Sequence, residues 1–395
     1  MALNILLLNA AYKLLGAMKN RLVVIIGCTG TGKSGLGIEI AKKFNGEIIN
    51  ADSMQLYKGL DIATNKVTEA EMGNVKHHML GFLDPSCSDF NVFRFRDQVL
   101  KIIEDLWSKN KLPILVGGTS YYVESILYKD YLIPTSGNLS KFIFLLVFLG
   151  MDHLKDLSND ELYEYLKKID KCSADQVHKN NRLRVVRAIE IYESTKVRKS
   201  EHLAKQKGGG EFGIGGTLRF PETLLFYLDG DQKILANRLD KRVEEMVNRG
   251  LRGEIEYSPS LSMYGVYQSI GLKEFVDYLK LSKADRQSDV GDELFKKGCD
   301  LVKIHTRQYA KRQRSWIINR LIRRQKCLCP KVVGKDKINE FKQLQIYHCD
   351  ICSIDIQGTG SWEAHLRGRR HKAAKRKINK IEKSEFGVAK SVVVT

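Results

Sequence analysis

The sequence has few features of a membrane or secreted protein. The apolar run at 142–150 is about half as long as the roughly 20 residues that a spanning helix needs. We therefore expect no membrane-spanning segment. A secretory signal peptide is also missing, so the eight cysteines point to a reducing compartment, in which thiols stay free or bind metal instead of forming disulfides.

Acidic residues are scarce relative to basic ones. The 395 residues include 46 Asp and Glu against 65 Lys and Arg, which gives a formal net charge of +19 and a pI of about 9.4. Such an excess favours a polyanionic partner such as nucleic acid or an anionic membrane, although a basic enzyme without such a partner is an alternative. With 43% hydrophobic residues, the chain can bury a large core in two or three modules.

Residues 1–20 also lack acidic side chains. They are leucine-rich and basic, which is more typical of a mitochondrial transit segment than of a signal peptide. Met18 lies just before the first predicted strand, so initiation there would give a chain without this leader. We expect a mitochondrial and a cytoplasmic form, with the nucleus as a further address. The alternative is that residues before Met18 are not part of the protein.

A glycine-rich turn follows the apolar run that begins at Arg21. The spacing from Gly27 to Ser34 is G-x-x-x-x-G-K-S, between a predicted strand and a predicted helix, which is the context of a phosphate-binding loop. Its backbone N–H groups and the helix N-terminus favour phosphate. The predicted diphosphate-binding residues are Gly27, Thr29, Gly30, Thr31, Gly32, Lys33 and Ser34. Lys33 is expected to reach the terminal phosphate, and Ser34 to hold Mg2+.

The strand predicted at 112–116 does not end in the Asp that holds Mg2+ and positions water in many NTPases. It ends in Gly117-Gly118-Thr119, which indicates that the phosphate is bound as a leaving group and is not hydrolysed. Asp52 follows another predicted strand, at the sheet edge where ligands bind in α/β folds. The alternative role of Asp52 is to cap the next segment.

Two basic stretches are candidates for nucleic-acid contact. A helix is predicted over 301–326 without one acidic residue, and it carries Tyr309 and Trp316 among its cations. Unpaired like charges destabilise a helix unless an anion neutralises them, so this helix predicts a nucleic-acid partner. The shorter row that includes Arg184 and Arg187 is interpreted as a solvated face, with phosphate contact as the alternative.

Four metal ligands follow near the end of the chain. Cys349, Cys352, His365 and His371 have the spacing C-x2-C-x12-H-x5-H. Two thiolates and two imidazoles complete a tetrahedral Zn2+ shell, and the spacing fits a hairpin packed on a helix. Basic residues surround the second His, which predicts that the finger adds a grip on RNA or DNA.

Together these patterns predict an α/β fold with a P-loop NTPase-like parallel sheet core, a helical insertion and a C-terminal C2H2 zinc finger. The predicted segments are the leader 1–20, the core 21–130, a mostly helical insertion 131–216, a return to the core with a basic helical part 217–326, a linker 327–345, and the finger with its basic flank 346–380.

The motifs resemble those of the tRNA dimethylallyltransferase (isopentenyltransferase) family in its eukaryotic form with a C-terminal zinc finger. The resemblance covers roughly 21–326 and the finger. Besides the phosphate loop, it rests on ADSMQLYKGLDIATNK (51–66), VGGTSYY (116–122), RLDKRV (238–243), QSIG (268–271) and TRQYAKRQRSW (306–316). The segment 130–151 departs from the family pattern, in which a charged helical stretch is usual.

The resemblance implies transfer of a dimethylallyl group from dimethylallyl diphosphate to N6 of the tRNA adenine on the 3′ side of the anticodon. By the same resemblance, Asp52 is the general base, and Lys33, Arg242 and Thr119 stabilise the leaving pyrophosphate. The implied tRNA contacts are Ser53, Met54, Gln55, Arg184, Arg187, Gln268, Ser269, Gly271, Lys273, Arg307, Lys311 and Arg312. We expect a monomer that binds the unstacked bases of the anticodon loop.

Three other functions stay open at this point. An adenylate isopentenyltransferase would prenylate free AMP, ADP or ATP, and would need neither the basic helix nor the finger. A P-loop kinase would consume ATP, which the Gly-Gly-Thr strand end disfavours. A non-catalytic RNA-binding protein would not need Asp52 or Thr119.

Overall fold

The computed structural model describes two compact units, Met1–Asp336 and Lys337–Thr395. The described residues are 20–87, 90–129, 131–133, 156–208, 218–257, 265–322, 331–333, 346–349, 351–352, 354–357, 363, 365–368 and 371–375. The predicted leader, apart from residue 20, and the apolar run at 142–150 lie outside them.

A six-stranded sheet forms the centre of the first unit, and all its described pairings are parallel. The strand order is β3-β2-β4-β1-β5-β6. The strands are β1 (Leu22–Gly27), β2 (Gly46–Asn50), β3 (His77–His78), β4 (Leu112–Gly117), β5 (Thr223–Asp229) and β6 (Lys331–Val333). Every residue of β1 and β4 is buried, as expected for a parallel sheet that is covered on both faces. The predicted α/β core is confirmed.

Helices cover the sheet and also form the parts of the first unit that lie outside it. They are α1 (Lys33–Lys43), α2 (Glu69–Met72), α3 (Val92–Ser108), α4 (Ser120–Leu127), α5 (Asn159–Ile169), α6 (Lys171–Ala174), α7 (Arg182–Thr195), α8 (Lys199–Gly208), α9 (Gln232–Asn248), α10 (Leu251–Tyr257), α11 (Val276–Leu279) and α12 (Asp289–Ile317). Short 3-10 turns occur at Gly265–Gln268, Lys273–Phe275 and Asp285–Gln287, and a π turn, Ile318–Ile322, follows α12.

Alternate side chains of β1 enter two different apolar layers. Val24 packs in a cluster with Phe95 of α3, whereas Val23 packs with Ile40 of α1. This alternation follows from the two-residue period of a strand, and it places the sheet between two helical layers. Because the strands are parallel, their carboxyl ends lie at the same edge of the sheet, where the loops that follow them come together.

Most of residues 156–208, in the predicted insertion, are helical. Three of the helices share a core of their own, in which Leu162 and Leu166 of α5 pack with Val185 and Ile189 of α7. α5 begins with a capping box in which the Ser158 hydroxyl accepts from the N–H of the third helical residue. The side chains that form this core recur at the four-residue spacing of one helix face.

The structure corrects two predictions about the basic part of the chain. The helix predicted from 301 begins at Asp289. Several of its cations are also paired with carboxylates of other elements, including Lys303 with Glu244 at 3.1 Å and Arg307 with Asp240. Contrary to the prediction, these cations therefore have partners within the protein. The partners are distant in sequence, so no local pattern reveals them.

Residues of the predicted linker also take part in the sheet, because Lys331–Val333 pairs with β5 as the strand β6. Within the part of the chain that the structure describes, no helix is both long and apolar enough to cross a membrane.

The second unit contains an antiparallel hairpin. Its strands are β7 (Ile346–Cys349) and β8 (Ile354–Gln357). Helical residues follow at 365–367 and 371–375. This order matches the hairpin and helix that the ligand spacing predicts.

Candidate active site

The phosphate loop connects β1 to α1. A side chain at Gly27 would place its Cβ only 2.5 Å from the carbonyl oxygen of Leu228 on β5, so the close contact of the two strands requires glycine here. The loop closes on the carbonyl of Cys28, which accepts from the Thr31 hydroxyl at 2.8 Å and from Lys33 Nζ at 2.9 Å. The second of these bonds holds the Lys33 ammonium at the loop.

Burial changes the acid–base properties of Lys33. Desolvation lowers its pKa to about 8, a shift that Arg242 reinforces and that Cys28 and Asp52 oppose. A buried ammonium with a lowered pKa lacks sufficient compensation for its lost hydration. An anion in the loop would supply that compensation.

Asp52 lies two residues beyond β2, next to the end of β4. Its carboxylate accepts from the Met54 N–H at 3.0 Å. Burial raises its pKa, and the Met54 N–H and the Lys33 ammonium oppose this shift. A raised pKa makes the ionised carboxylate a stronger base, which is the property that a proton acceptor in catalysis needs.

Thr119 and Arg242 bring two further polar groups to the same region. The Thr119 hydroxyl accepts from the Ser53 N–H at 2.9 Å and donates to the Ser53 hydroxyl at 3.2 Å. Arg242 of α9 donates to the Thr29 hydroxyl at 2.9 Å. Among the described residues its Nε is buried without a hydrogen-bond partner, which leaves a donor available to a ligand.

Two cavities meet at these residues. The first, which we call the loop cavity, has a volume of about 630 Å³ and is lined by the phosphate loop. The second, the turn cavity, has a volume of about 530 Å³ and is lined by the turn at 268–273. Both cavities share Thr29, Asp52, Gln55, Asn65 and Arg242. Molecules bound in the two cavities would therefore both contact the wall that contains Asp52.

The structure brings most of the predicted site residues to these cavities. Of the predicted diphosphate-binding residues, Thr29, Gly30, Gly32, Lys33 and Ser34 line the loop cavity. Of the predicted tRNA-binding residues, Ser53, Met54, Gln55, Gln268, Ser269, Lys273 and Arg312 line the turn cavity.

Other predicted residues lie elsewhere. Arg184 and Arg187 belong to α7 and line neither cavity, nor do Arg307 and Lys311 of α12. Gly27, Thr31, Thr119 and Gly271 are likewise absent from both walls. Thr31 and Thr119 nevertheless hold the loop and Ser53 through the hydrogen bonds described above.

Sequence reasoning missed Gln313 and underestimated Tyr309. The buried Gln313 amide accepts from the Thr29 N–H and donates to the Gly118 carbonyl, both at 2.9 Å. Tyr309 lines the turn cavity, and burial together with the charge of Asp52 raises its pKa. Both belong to a stretch that its composition marks as a basic surface. Tyr309 and Gln313 are four residues apart, so they lie on the same face of α12. This spacing is the feature of the sequence that could have indicated that the face points into the protein.

The four predicted zinc ligands converge in the second unit. All four donor atoms lie within 4.8 Å of one another. His371 Nδ1 is 3.4 Å from Cys349 Sγ, 3.6 Å from Cys352 Sγ and 3.0 Å from His365 Nε2. A tetrahedral Zn2+ shell places sulfur and nitrogen ligands about 3.5 Å apart. The donor set therefore fits Zn2+.

Comparison with known proteins agrees with this geometry. The family described as IPP transferase matches residues 55–321, and that described as isopentenyl transferase matches 20–83. The tRNA dimethylallyltransferase of Mus musculus is 34% identical, over 89% of this chain and 85% of the mouse protein. The chain belongs to the tRNA dimethylallyltransferase family. The family expected from the sequence motifs is thus confirmed.

Further members of the tRNA dimethylallyltransferase family give the same result. The Homo sapiens protein is 32% identical, over 95% of this chain and 90% of its own length. A solved structure of a eukaryotic dimethylallyltransferase acting on tRNA superposes with a TM-score of 0.65 at 28% identity, over 94% of this chain and 100% of that one. The family of C2H2 zinc fingers matches residues 347–371, which confirms the finger.

The lowered pKa of Lys33 predicts how anion binding depends on pH. Above about pH 8 the free protein loses the Lys33 charge, so binding of inorganic pyrophosphate must take up a proton. Affinity should then fall by up to about tenfold per pH unit relative to a variant without this group. The measurement is calorimetric titration between pH 7 and pH 10 with wild type and Lys33→Met. The same pH dependence in both proteins would contradict the assignment of Lys33.

Proposed function

We propose that this chain transfers a dimethylallyl group from dimethylallyl diphosphate, held in the loop cavity, to N6 of the adenine next to the tRNA anticodon, held in the turn cavity. The observation that carries this proposal is the shared wall at which the two cavities meet, which contains both Asp52 and Arg242. The family to which the chain belongs supports the choice of substrates.

The chemistry requires charge stabilisation on the loop side. The allylic C–O bond breaks and its electron pair goes to the bridging oxygen of the leaving pyrophosphate. Lys33 and the loop amides face this charge, and the unpartnered Nε of Arg242 adds a further donor. Buried donors that are already in position stabilise such a charge strongly. Thr119 donates its hydroxyl hydrogen to Ser53 and lines neither cavity, so its role on this side would be to hold Ser53 in position.

The acceptor side requires a base. The lone pair of an exocyclic adenine amine is delocalised, so N6 attacks well only if its proton leaves as the new N–C bond forms. Asp52 takes that proton, and its raised pKa suits the task. The charge of Lys33 keeps Asp52 from being protonated too readily, so that the carboxylate remains available.

Mg2+ fits the loop side of this arrangement. The exposed hydroxyl of Ser34 lies in the cavity wall next to Lys33, and Mg2+ prefers such oxygen ligands together with phosphate oxygens. When bound, the ion would neutralise part of the diphosphate charge.

The tRNA would extend beyond the turn cavity. Arg184 of α7 is exposed, and the exposed Lys311 lies near Arg312 on α12. Cations of this kind suit the phosphates of an anticodon stem. Free AMP would need no such surface, which disfavours an adenylate isopentenyltransferase, and no Asp follows β4 to support a kinase.

Two further proposals concern the assembly and location of the protein. The composition of residues 1–20 supports a mitochondrial form that starts at Met1 and a cytoplasmic form that starts at Met18, with the nucleus as a further address. We also propose that the protein acts as a monomer.

Replacing the proposed base tests the function directly. Asp52→Asn should lower kcat by about 10²- to 10⁴-fold and leave the affinity for an anticodon stem-loop within about threefold. Because burial raises the pKa of Asp52, its ionised form opposes folding above the pKa of the unfolded chain, so the Asn variant should not be less stable at neutral pH. Transfer of radiolabelled dimethylallyl, stem-loop binding and thermal melting measure the three quantities.

The matched control for this experiment is Asp97→Asn, which changes an exposed carboxylate on α3. It should keep wild-type activity. Full activity of the Asp52→Asn variant would exclude Asp52 as the base.

The zinc finger is proposed to add affinity for tRNA and not to take part in catalysis. Cys349→Ser should abolish stoichiometric zinc, weaken tRNA binding several-fold and make the logarithm of the affinity fall less steeply with the logarithm of salt concentration. kcat at saturating tRNA should not change. Metal analysis, salt-dependent tRNA binding and turnover measure these effects, with Cys172→Ser, an exposed free thiol, as the control. Loss of zinc with unchanged tRNA affinity would make the finger a module for another partner.

A further inference from the structure

A buried carboxylate braces the turn that lines the turn cavity. Glu274 Oε2 accepts from the Gly271 N–H at 2.9 Å, and Glu274 Oε1 is 2.7 Å from His305 Nδ1 on α12. The Glu274 side chain is 0% exposed. Burying a carboxylate costs free energy unless both of its oxygens are hydrogen-bonded. Displacing the turn would break the bond from the Gly271 N–H, so Glu274 holds the turn in one position.

The turn is also fixed from its other side. Gly271 has a φ of 105°, which favours glycine, and a Cβ there would lie 2.8 Å from the carbonyl oxygen of Ala63. The Ser269 N–H donates to the Val266 carbonyl at 2.9 Å. The backbone of the turn at Ser269–Gly271, which packs between Glu274 and Ala63, therefore has little freedom to move.

The braced turn presents one hydroxyl without a partner. Ser269 is 2% exposed, and its Oγ has no hydrogen-bond partner among the described residues. The residue Ser269 lines the turn cavity, as Asp52 does. A buried hydroxyl without a partner costs about 1–3 kcal/mol, and a ligand that supplies the partner offsets that cost.

We propose that Ser269 donates a hydrogen bond to a ring nitrogen of the acceptor adenine, and that Glu274 and His305 are positioning residues that hold Ser269 in place. The inference rests on the proposed function. In adenine, N1 and N7 flank the carbon that carries the amine, and each has a lone pair that accepts. Asp52 accepts the proton of the amine, and the Ser269 hydroxyl in the wall of the same cavity serves as the donor that orients the base.

The test combines changes in the protein with changes in single atoms of the acceptor. Stem-loops carry adenine, 1-deazaadenine or 7-deazaadenine at the modified position. kcat/KM should fall about tenfold for one deaza base with wild type, and about tenfold for adenine with Ser269→Ala. The two losses should not multiply when that deaza base meets Ser269→Ala, because both remove the same hydrogen bond.

Glu274 is tested with the same three stem-loops. Glu274→Ala should lower kcat/KM and lose the discrimination between adenine and the deaza base, while KM for dimethylallyl diphosphate stays within twofold. Glu274→Gln should retain part of the wild-type kcat/KM and part of the discrimination between the bases, because its amide oxygen can still accept from the Gly271 N–H. The matched control is Asp277→Asn, an exposed carboxylate on α11, which should behave as wild type.

Several results would overturn the inference. Losses that multiply for both deaza bases with Ser269→Ala would exclude the hydrogen bond. Wild-type discrimination in Glu274→Ala, or equal effects of Glu274→Ala and Asp277→Asn, would exclude the positioning role. A wild-type protein that prenylates no stem-loop would refute the proposed function instead, so the two failures can be told apart.

Discussion

Three partly buried charged side chains of the first unit lie close together where the two cavities meet, and the chemistry of the site depends on them. Lys33 and Arg242 are cations whose pKa values burial lowers, and Asp52 is a carboxylate whose pKa burial raises. Asp52 partly compensates each cation, whereas the charge of Arg242 further disfavours the Lys33 ammonium, so the lost hydration is not fully replaced. Such a site is prepared for a ligand that carries negative charge and for a reaction that moves a proton.

The fold keeps these groups together through contacts between distant parts of the chain. β1, β4 and β5 are neighbours in the sheet, so the segments that follow them meet at one edge. Gln313 then joins Thr29 in the phosphate loop to Gly118 after β4. The long helix α12 thus contributes to the interior of the site and not only to a basic surface.

The sequence predicts local features of this protein well and distant contacts poorly. The phosphate loop, the position of Asp52 after a strand and the four zinc ligands all depend on residues close together in the chain. Gln313 and Glu274 act through partners that are 284 and 31 positions away, which periodicity cannot reveal. Periodicity likewise does not reveal that Arg307, a predicted tRNA contact, pairs with Asp240 of α9.

The central claim is that the turn cavity accepts an adenine that belongs to an RNA. The most direct test is transfer of radiolabelled dimethylallyl diphosphate to two acceptors side by side, an anticodon stem-loop with three adenines on the 3′ side of the anticodon and free AMP. The account predicts label in the stem-loop and none in AMP. Label in AMP alone would contradict it.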